Sequence, residues 1–403
     1  MTTTAGRGLY YDPYDFEIDT DPYPVWQRLR DEAPLYYNEQ YDFFALSRFR
    51  DVEPALIDWQ TYQSGRGSIL ELIRADFEVP SGLVLFEDPP VHDAHRGLMS
   101  RVFTPKKMQA IEPQVREFCA RALDPYVGTG GFDFVADLGA QMPMRVIGML
   151  LGIPEQDQEA IRDRLDEGLR LESGDQAAAG TAAVITAEDS GAMFAEYVEW
   201  RAHHPSDDLM TELLNAEFED EHGERRRLSR DEVLTYVNLI AGAGNETTNR
   251  LIGWTGKILA EHPDQRRAVA ADRSLVPAAI EEVLRYEAPS PVQARYVARD
   301  VEHYGQPVPE GSVMLLLNGA ANRDERQYPD ADRFDVRRDA GQHLSFGYGL
   351  HFCLGAALAR LEGRVALDEV LRRWTDWEVD YDNAVLGHTS TARGWEKLPV
   401  RTA

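Results

Sequence analysis

The chain has 403 residues, of which 43% are hydrophobic, so it is long enough to bury a large core. A formal net charge of −27 argues against binding to nucleic acid or to an anionic membrane surface. Two cysteines are too few for a disulfide framework and indicate a reducing, cytoplasmic setting. The N-terminal residues lack the apolar core of a signal peptide. No stretch approaches the roughly 18 apolar residues of a spanning helix, so we expect no membrane span.

Apolar residues at helical spacing run through most of the chain, and no linker or internal repeat divides it. Clear helical stretches are residues 22–32, 105–126, 155–171, 192–203, 230–262 and 274–286. Short β-like runs are residues 35–37, 43–45, 292–297, 301–304 and 313–317. We therefore expect one domain, residues 1–403, that is mainly α with small β-sheets.

The first polar motif lies at residues 88–96, with the sequence DPPVHDAHR. His92 and Arg96 are four residues apart, so they share a helix face and suit a partly buried carboxylate. His92 and His95 also allow a metal pair, although no third ligand has convincing spacing. We expect His95 to be exposed or one layer behind the contacting residues.

The second motif, residues 240–248 (IAGAGNETT), lies in the middle of a long apolar helix. Glycines, an acid and two threonines are poor choices for a helix interior, so a function must offset their cost. Small residues at Ala243 and Gly244 would leave a dent with the Thr247 hydroxyl at its rim. Thr247 can also bond back to a carbonyl and open the helix. A helix-packing notch is the simpler alternative. A dinucleotide-binding turn is disfavoured, because a third glycine and a preceding strand are missing.

The third motif is EEVLR at residues 281–285. Glu282 and Arg285 are three residues apart on one helix face, within reach of a bidentate pair. Such spacing is a weak signal by itself, because a surface ion pair contributes less than about 1 kcal/mol. Its position between two stronger motifs gives it weight.

The fourth motif, FGYGLHFCLG at residues 346–355, places Cys353 in a glycine-rich turn just before a predicted helix. A helix N-terminus favours a thiolate, and the glycines allow backbone to pack closely around the sulfur. A thiolate on a rigid loop is what an axial haem ligand requires. The simpler alternative is a buried cysteine before an amphipathic helix. The other cysteine, Cys119, is expected to be a packed helix residue without a role.

The spacing Phe346-x-x-Gly349-x-x-x-Cys353-x-Gly355 resembles the haem-binding loop of the cytochrome P-450 superfamily. The other three motifs resemble that superfamily in its own order, and residues 21–48 look like those of bacterial members. The resemblance implies the cytochrome P-450 fold, with haem between the long central helix and the cysteine loop.

Roles for individual residues follow from this resemblance. It implies that Cys353 is the axial ligand of haem b iron and that Glu246 and Thr247 deliver protons to bound dioxygen. The implied cofactor-binding residues are His92, Arg96, Arg295 and His351 at the propionates, together with Phe346, Gly347, Gly355 and Ala243. A buried triad of Glu282, Arg285 and Arg333 is implied to brace the region behind the haem loop.

The resemblance also implies a monooxygenase that inserts one oxygen atom into a lipophilic terpenoid, steroid, fatty acid or polyketide, by hydroxylation or epoxidation. The sequence contains no recognisable flavin or nicotinamide domain. Electrons are therefore expected from NAD(P)H through a ferredoxin or flavodoxin and its reductase, with the protein itself a monomer. Two basic islands are candidate docking sites: Arg96, Arg101, Lys106 and Lys107, and Arg360, Arg364, Arg372 and Arg373.

By the same analogy, the substrate pocket includes Ile69, Leu70, Leu83, Leu85, Leu239, Ile240, Val292 and Thr389, each of which is equally well explained as plain core. Residues 172–191 are predicted to form a mobile lid, or alternatively a disordered surface loop. Two other functions stay open. A haem-thiolate peroxygenase or isomerase would not need Glu246 and Thr247, and a non-catalytic haem gas sensor would not need a lipophilic pocket.

Overall fold

Helices dominate the computed structural model, which describes residues 8–75, 82–100, 103–161, 194–388 and 392–402. The α-helices are α1 (Phe16–Thr20), α2 (Tyr23–Glu32), α3 (Phe49–Ile57), α4 (Leu70–Arg74), α5 (Val91–Ser100), α6 (Pro105–Ala110), α7 (Glu112–Leu123), α8 (Met142–Leu151), α9 (Leu209–Asn215), α10 (Arg230–Glu261), α11 (Pro263–Ala271), α12 (Val276–Tyr286), α13 (Asn318–Ala321) and α14 (Ala356–Arg373). Residues 155–161 and 194–203 are helical as well.

The strands are short and lie in five small sheets. They are β1 (Leu35–Asn38), β2 (Phe43–Leu46), β3 (Tyr62–Gln63), β4 (Gly131–Asp133), β5 (Glu217–Glu219), β6 (Arg225–Arg227), β7 (Gln293–Val297), β8 (Val301–His303), β9 (Gln306–Val308), β10 (Val313–Leu316), β11 (Trp377–Val379), β12 (Val385–His388), β13 (Arg393–Lys397) and β14 (Pro399–Thr402). The largest sheet has five strands in the order β1-β2-β10-β7-β3. In it β2 and β10 are parallel, whereas the other neighbours are antiparallel.

Helix α10 is the centre of the fold. It begins with a capping box, in which the Ser229 hydroxyl accepts from the Glu232 amide and the Glu232 carboxylate accepts from the Ser229 amide. Its 32 residues pack against α8, α12, α14 and β13, so it is buried on several sides. The predicted helix at 230–262 is therefore confirmed almost to the residue. The predicted helix at 105–126 instead divides at Ile111 into α6 and α7.

One stretch in the described chain, Phe134–Leu151, is long and apolar enough to cross a membrane, which the sequence analysis did not expect. Within it a π-helical turn, Phe134–Gly139, is followed by α8. Both parts pack against α10, and 61% of the stretch is buried inside the protein. Its apolar character is accounted for by that packing.

Candidate functional site

The loop before α14 holds Cys353 in a fixed position. The Cys353 amide donates to the Phe346 carbonyl at 2.8 Å, which closes the loop. Gly347 and Gly349 have φ angles of +64° and +69°, which side chains rarely adopt. At Gly349 a Cβ would also lie 2.8 Å from the Leu56 carbonyl oxygen, so backbone packs where a side chain would be. Gly347 and Gly349 are therefore needed in this loop, and Gly349 seats it against α3. Gly355 has an ordinary φ of −81°, and a Cβ there would meet no atom closer than Cys353 Sγ at 4.0 Å, so close packing around the sulfur does not require that glycine.

The electrostatic setting of Cys353 differs from the expectation based on the helix terminus alone. Cys353 is exposed by surface area, yet protein atoms crowd its sulfur, and this desolvation raises the pKa of its thiol. The Gly355 amide and the nearby charges of Arg96 and Arg360 act in the opposite direction without reversing the shift. The protein alone thus favours the thiol, whereas coordination to a metal ion would deprotonate it.

Beside the cysteine loop, four basic side chains converge. A carboxylate touches this group at one edge: Oδ1 of Asp93, whose side chain is largely exposed, lies 3.1 Å from Nδ1 of His92. The rings of His92 on α5 and His351 lie 4.6 Å apart, measured between centroids. Arg96, one turn after His92, donates to the Phe352 carbonyl, and Arg295 on β7 is buried. The Nε2 atoms of His92 and His351 are buried, and neither has a hydrogen-bond partner in the described part of the chain.

These groups perturb one another in the way expected of a cluster whose positive charge is only partly compensated. The pKa of His351 falls to about 3, because the site is buried and Arg295, His92 and Arg96 lie near. Burial lowers the pKa of Arg295 to about 10, and Asp88 offsets only part of that effect. The cluster therefore has donors and positive charge in excess, which fits an anionic group with several acceptor oxygens.

On α10, Thr247 and Gly244 face different neighbours. The Thr247 hydroxyl donates to the Ala243 carbonyl at 3.0 Å, and Ala243 is exposed, so these two form the open face. At Gly244 a Cβ would lie 2.7 Å from Cδ1 of Ile147 on α8. The two interpretations of the motif therefore apply to different residues. Gly244 is a helix-packing notch, whereas Ala243 and Thr247 are available to a ligand.

Glu246 is buried and paired with a residue that the sequence analysis missed. Its Oε1 lies 3.3 Å from Nη2 of Arg250, one turn later on α10, and both side chains are 8% exposed. Nη1 of Arg250 donates to the Trp395 carbonyl on β13 at 2.5 Å. The four-residue spacing of Glu246 and Arg250 was the sequence signal from which this ion pair could have been predicted. The pair connects the central helix to the β12–β13 hairpin.

The triad behind the cysteine loop is built around Glu282 and Arg285, to which Arg333 contributes its carbonyl, accepting from Arg285 at 3.5 Å, but not its side chain. Glu282 and Arg285 are fully buried and form a bidentate pair with distances of 2.7 and 2.8 Å. Arg333 is 66% exposed and pairs with Asp335, so its predicted place is wrong. Nε of Arg338 instead lies 3.1 Å from Glu282 Oε1. The buried side chain of Phe334 occupies the inward direction next to Arg333, and the chain brings Arg338 back to Glu282.

His95 lies in the interior. Of the two sequence-based expectations for this residue, the exposed position is therefore wrong. Its side chain is 1% exposed, and Nδ1 lies 2.8 Å from Oε2 of Glu87. Glu87 also accepts from the Gly82 amide at 2.7 Å. Among the described residues, no group of three His, Cys, Asp or Glu side chains is placed to hold a metal ion.

Most cations of the two basic islands are engaged in ion pairs. Arg101 lies outside the described residues. The pairs are Lys107 with Glu212, Arg360 with Glu281, Arg372 with Asp368, and Arg373 with Glu369 and Asp124. Carboxylates therefore neutralise these four side chains. Glu212, Glu281 and Asp124 are distant in sequence, whereas Asp368 and Glu369 lie one turn away on α14.

The structure brings together three of the eight predicted pocket residues. Ile69, Leu70 and Val292 line one cavity, which Tyr14 and Trp26 also border. Ile240 is buried on α10, whereas Leu83 and Leu239 are half-buried and Leu85 is 41% exposed. A pocket role for Leu85 is therefore poorly supported. Thr389 and the predicted lid at 172–191 lie outside the described residues.

Comparison with known proteins identifies the family. A sequence model described as cytochrome P450 matches residues 191–386. Putative cytochrome P450 123 of Mycobacterium tuberculosis is 41% identical over 99% of this chain and 99% of its own length. The chain belongs to the cytochrome P450 family. It is therefore a monooxygenase, and the family and fold predicted from the motifs are confirmed.

Other relatives of this P450 extend the comparison. Vitamin D(3) 25-hydroxylase of Pseudonocardia autotrophica is 35% identical over 99% of this chain and 98% of its own. The structure of cytochrome P450 CYP109Q5 from Chondromyces apiculatus matches with a TM-score of 0.84, 33% identity and 98% coverage of both chains. A mutant of P450 EryK in complex with erythromycin B matches with a TM-score of 0.86 and 32% identity, over 95% of this chain and 96% of that one.

The residues present fit the haem that this family carries. Cys353 offers a sulfur at the N-terminal end of α14, which packs against α10. Beside it, the unpaired Nε2 atoms of His92 and His351 and the guanidinium of Arg295 match the two carboxylates of a haem. The donor set accordingly has the ligand and the positive charge that haem requires.

Proposed function

We propose that this P450 uses haem b, ligated by Cys353, to hydroxylate or epoxidise a lipophilic small molecule. The observation that carries the proposal is that Cys353, an exposed residue, lies in a loop beside the buried Nε2 atoms of His92 and His351, which have no hydrogen-bond partner among the described residues. A buried polar atom without a partner costs about 1–3 kcal/mol, so a ligand with acceptor oxygens is the simplest explanation. Haem propionates are such acceptors.

In this proposal, four side chains hold the propionates. Arg295 approaches from β7, His92 and Arg96 from α5, and His351 from the cysteine loop. Binding of two carboxylates would supply the negative charge that the cluster lacks and would raise the depressed pKa of His351. Phe346, Gly347, Gly355 and Ala243 complete the proposed cofactor contacts.

When bound, haem supplies oxygen activation, and the chain supplies protons. Thr247 lies on the open face of α10, with its hydroxyl hydrogen directed to the Ala243 carbonyl. Its oxygen can therefore accept a hydrogen bond from a water and order that water. Glu246 lies next to Thr247 in the chain, and Arg250 holds its carboxylate. We assign Glu246 to exchange protons with that water.

Electrons are proposed to come from NAD(P)H through a reductase and a separate ferredoxin or flavodoxin. Lys106 is exposed, and Arg364 is half-buried on α14, so these two remain as candidate contacts for an acidic carrier. In the same proposal the chain acts as one domain, as a monomer and in the cytoplasm. Reversing both charges should slow the first reduction and weaken its salt dependence, whereas unchanged kinetics would contradict the docking assignment.

We propose a steroid or a polyketide as the substrate. The relatives that support this choice include the vitamin D(3) 25-hydroxylase and the EryK structure with erythromycin B. CYP109E1 from Bacillus megaterium in complex with testosterone also matches, with a TM-score of 0.86 and 27% identity.

The deciding experiment uses the purified haem-loaded protein. Its reduced carbon-monoxide complex should show the far-red-shifted Soret band of a thiolate ligand, and Cys353→Ser should abolish that band. An unshifted band in the unmodified protein would refute the ligand assignment. Titration with steroids and macrolides should produce the low-to-high-spin shift. Turnover with peroxide, but with no reductase system, would favour a peroxygenase instead.

A further inference from the structure

Glu281, the first acid of the EEVLR motif, has an arrangement that the triad does not explain. Its carboxylate accepts from Arg360 on α14 through two contacts of 2.7 and 3.0 Å. On the other side, His343 Nε2 lies 3.1 Å from the same carboxylate. The Ser345 amide donates to His343 Nδ1, so Nε2 carries the hydrogen and donates to Glu281.

Glu281 and Arg360 form an ion pair that is charged at all ordinary pH values. Although burial opposes ionisation, the hydrogen bonds from His343 and Arg360 hold the pKa of Glu281 at about 2. The side chains are 30% and 33% exposed, so water screens the pair only in part. Glu281 and Arg360 therefore contribute opposite fixed charges at one place.

The Glu281–Arg360 pair lies directly behind the cysteine loop. The guanidinium carbon of Arg360 is 4.5 Å from the centre of the Phe346 ring. The carbonyl of the same Phe346 accepts the hydrogen bond from the Cys353 amide. A chain of contacts thus leads from Glu281 through Arg360 to the proposed iron ligand.

We propose that Arg360 raises the reduction potential of the haem and that Glu281 limits this effect by offsetting the Arg360 charge. The inference rests on the proposed function only in taking Cys353 as the iron ligand. Reduction adds one negative charge to the haem and its thiolate, so a nearby cation stabilises the reduced state. An anion beside that cation weakens the stabilisation. Both residues act through their charge and through Phe346, and we assign neither a contact with the cofactor.

The experiment is a double-mutant cycle on the haem-loaded protein, with the midpoint potential measured by spectroelectrochemical titration. Glu281→Gln should raise the potential, because Arg360 is left uncompensated. Arg360→Met should lower it, because it leaves a carboxylate without its cation. The double variant removes both charges and should lie between the two single variants, near the unmodified protein.

A neighbouring arginine provides the matched control. Arg364 lies one turn further along α14, and its Nε donates to the Arg360 carbonyl. Arg364→Met changes the net charge equally but should leave the potential nearly unchanged. Equal shifts for Arg360→Met and Arg364→Met would refute the proposal in favour of a general charge effect. Unshifted potentials in the single variants, with lowered melting temperatures, would reduce the pair to a structural brace.

Failure of this inference can be told apart from failure of the proposed function. If the unmodified protein lacks the far-red-shifted Soret band, Cys353 is not the ligand and the proposed function fails first. If that band is present in every variant and the order of potentials differs from the expected one, only the present inference fails.

Discussion

The most informative perturbation is Arg250→Met, which removes the cation from the buried carboxylate of Glu246. The Glu246–Arg250 distance is 3.3 Å, and each side chain is 8% exposed, so water can replace little of the lost interaction. Removing one partner of a buried ion pair costs about 3–5 kcal/mol, because the other charge is left uncompensated. We therefore expect Arg250→Met to lower the free energy of unfolding by an amount of that order.

The same helix offers a control pair with the same spacing. Lys257 and Glu261 are 2.9 Å apart, with side chains 22% and 41% exposed, and an exposed pair of this type contributes about 0.3–0.5 kcal/mol. Urea unfolding followed by circular dichroism gives the coupling energy of each pair, using Glu246→Gln with Arg250→Met and Glu261→Gln with Lys257→Met. We expect about 2–3 kcal/mol for the buried pair. Coupling below about 0.5 kcal/mol, equal to that of the control, would refute the reasoning.

Three further predictions concern single side chains. Thr247→Ala should uncouple electron use from product and release peroxide, measured as product formed per electron, and full coupling would contradict the proton role. Burial raises the pKa of Glu362 well above its usual 4.5, so this carboxyl favours folding below that pH, and its contribution is lost as pH rises. Glu362→Gln should therefore be the more stable protein at neutral pH, with a difference that vanishes near pH 4 in urea titrations. Arg338→Met should cost about 1.5–3 kcal/mol, because it removes one charged contact of buried Glu282 while Arg285 keeps that carboxylate paired. Arg333→Met should change stability by less than about 0.5 kcal/mol. Equal losses for the two variants would restore the Arg333 side chain to the triad.

The parts predictable from sequence are those whose spacing is fixed by local geometry. The Cys353 loop is defined by glycine positions and by the helix that follows, so its motif predicts the fold and family that the structure and the relatives confirm. The i, i+3 pair of Glu282 and Arg285 likewise lies on one helix face. Where the chain is irregular, as between Tyr286 and α14, spacing does not say which arginine turns inward. Arg338 was missed there, and Arg333 was chosen instead.

Ion pairs between residues distant in sequence were the other feature that the sequence could not predict. From the sequence alone, Arg360 is interpreted as a surface cation, because its neighbours along α14 include other arginines. Its partner Glu281 is 79 residues earlier, and only the packing of α12 against α14 brings the two together. Similarly, Lys107 meets Glu212 from α9. In a chain with 69 acidic residues, apparent positive patches are readily neutralised by such distant contacts.

Arg295 differs from other buried arginines of this protein in its lack of a contacting carboxylate within the described chain. Buried arginines elsewhere contact carboxylates: Arg285 contacts Glu282, and Arg393 contacts Glu287 at 2.7 Å. Arg295 is equally buried, yet within the described chain its side chain donates only to the Ala294 carbonyl and to the Gln293 side chain. A buried charge without a counter-ion destabilises the fold, so a carboxylate brought by a ligand would offset a cost that the protein alone bears. In the proposed haem complex, the propionates would provide the negative charge that Arg295 lacks, and cofactor binding would then stabilise the fold through this arginine.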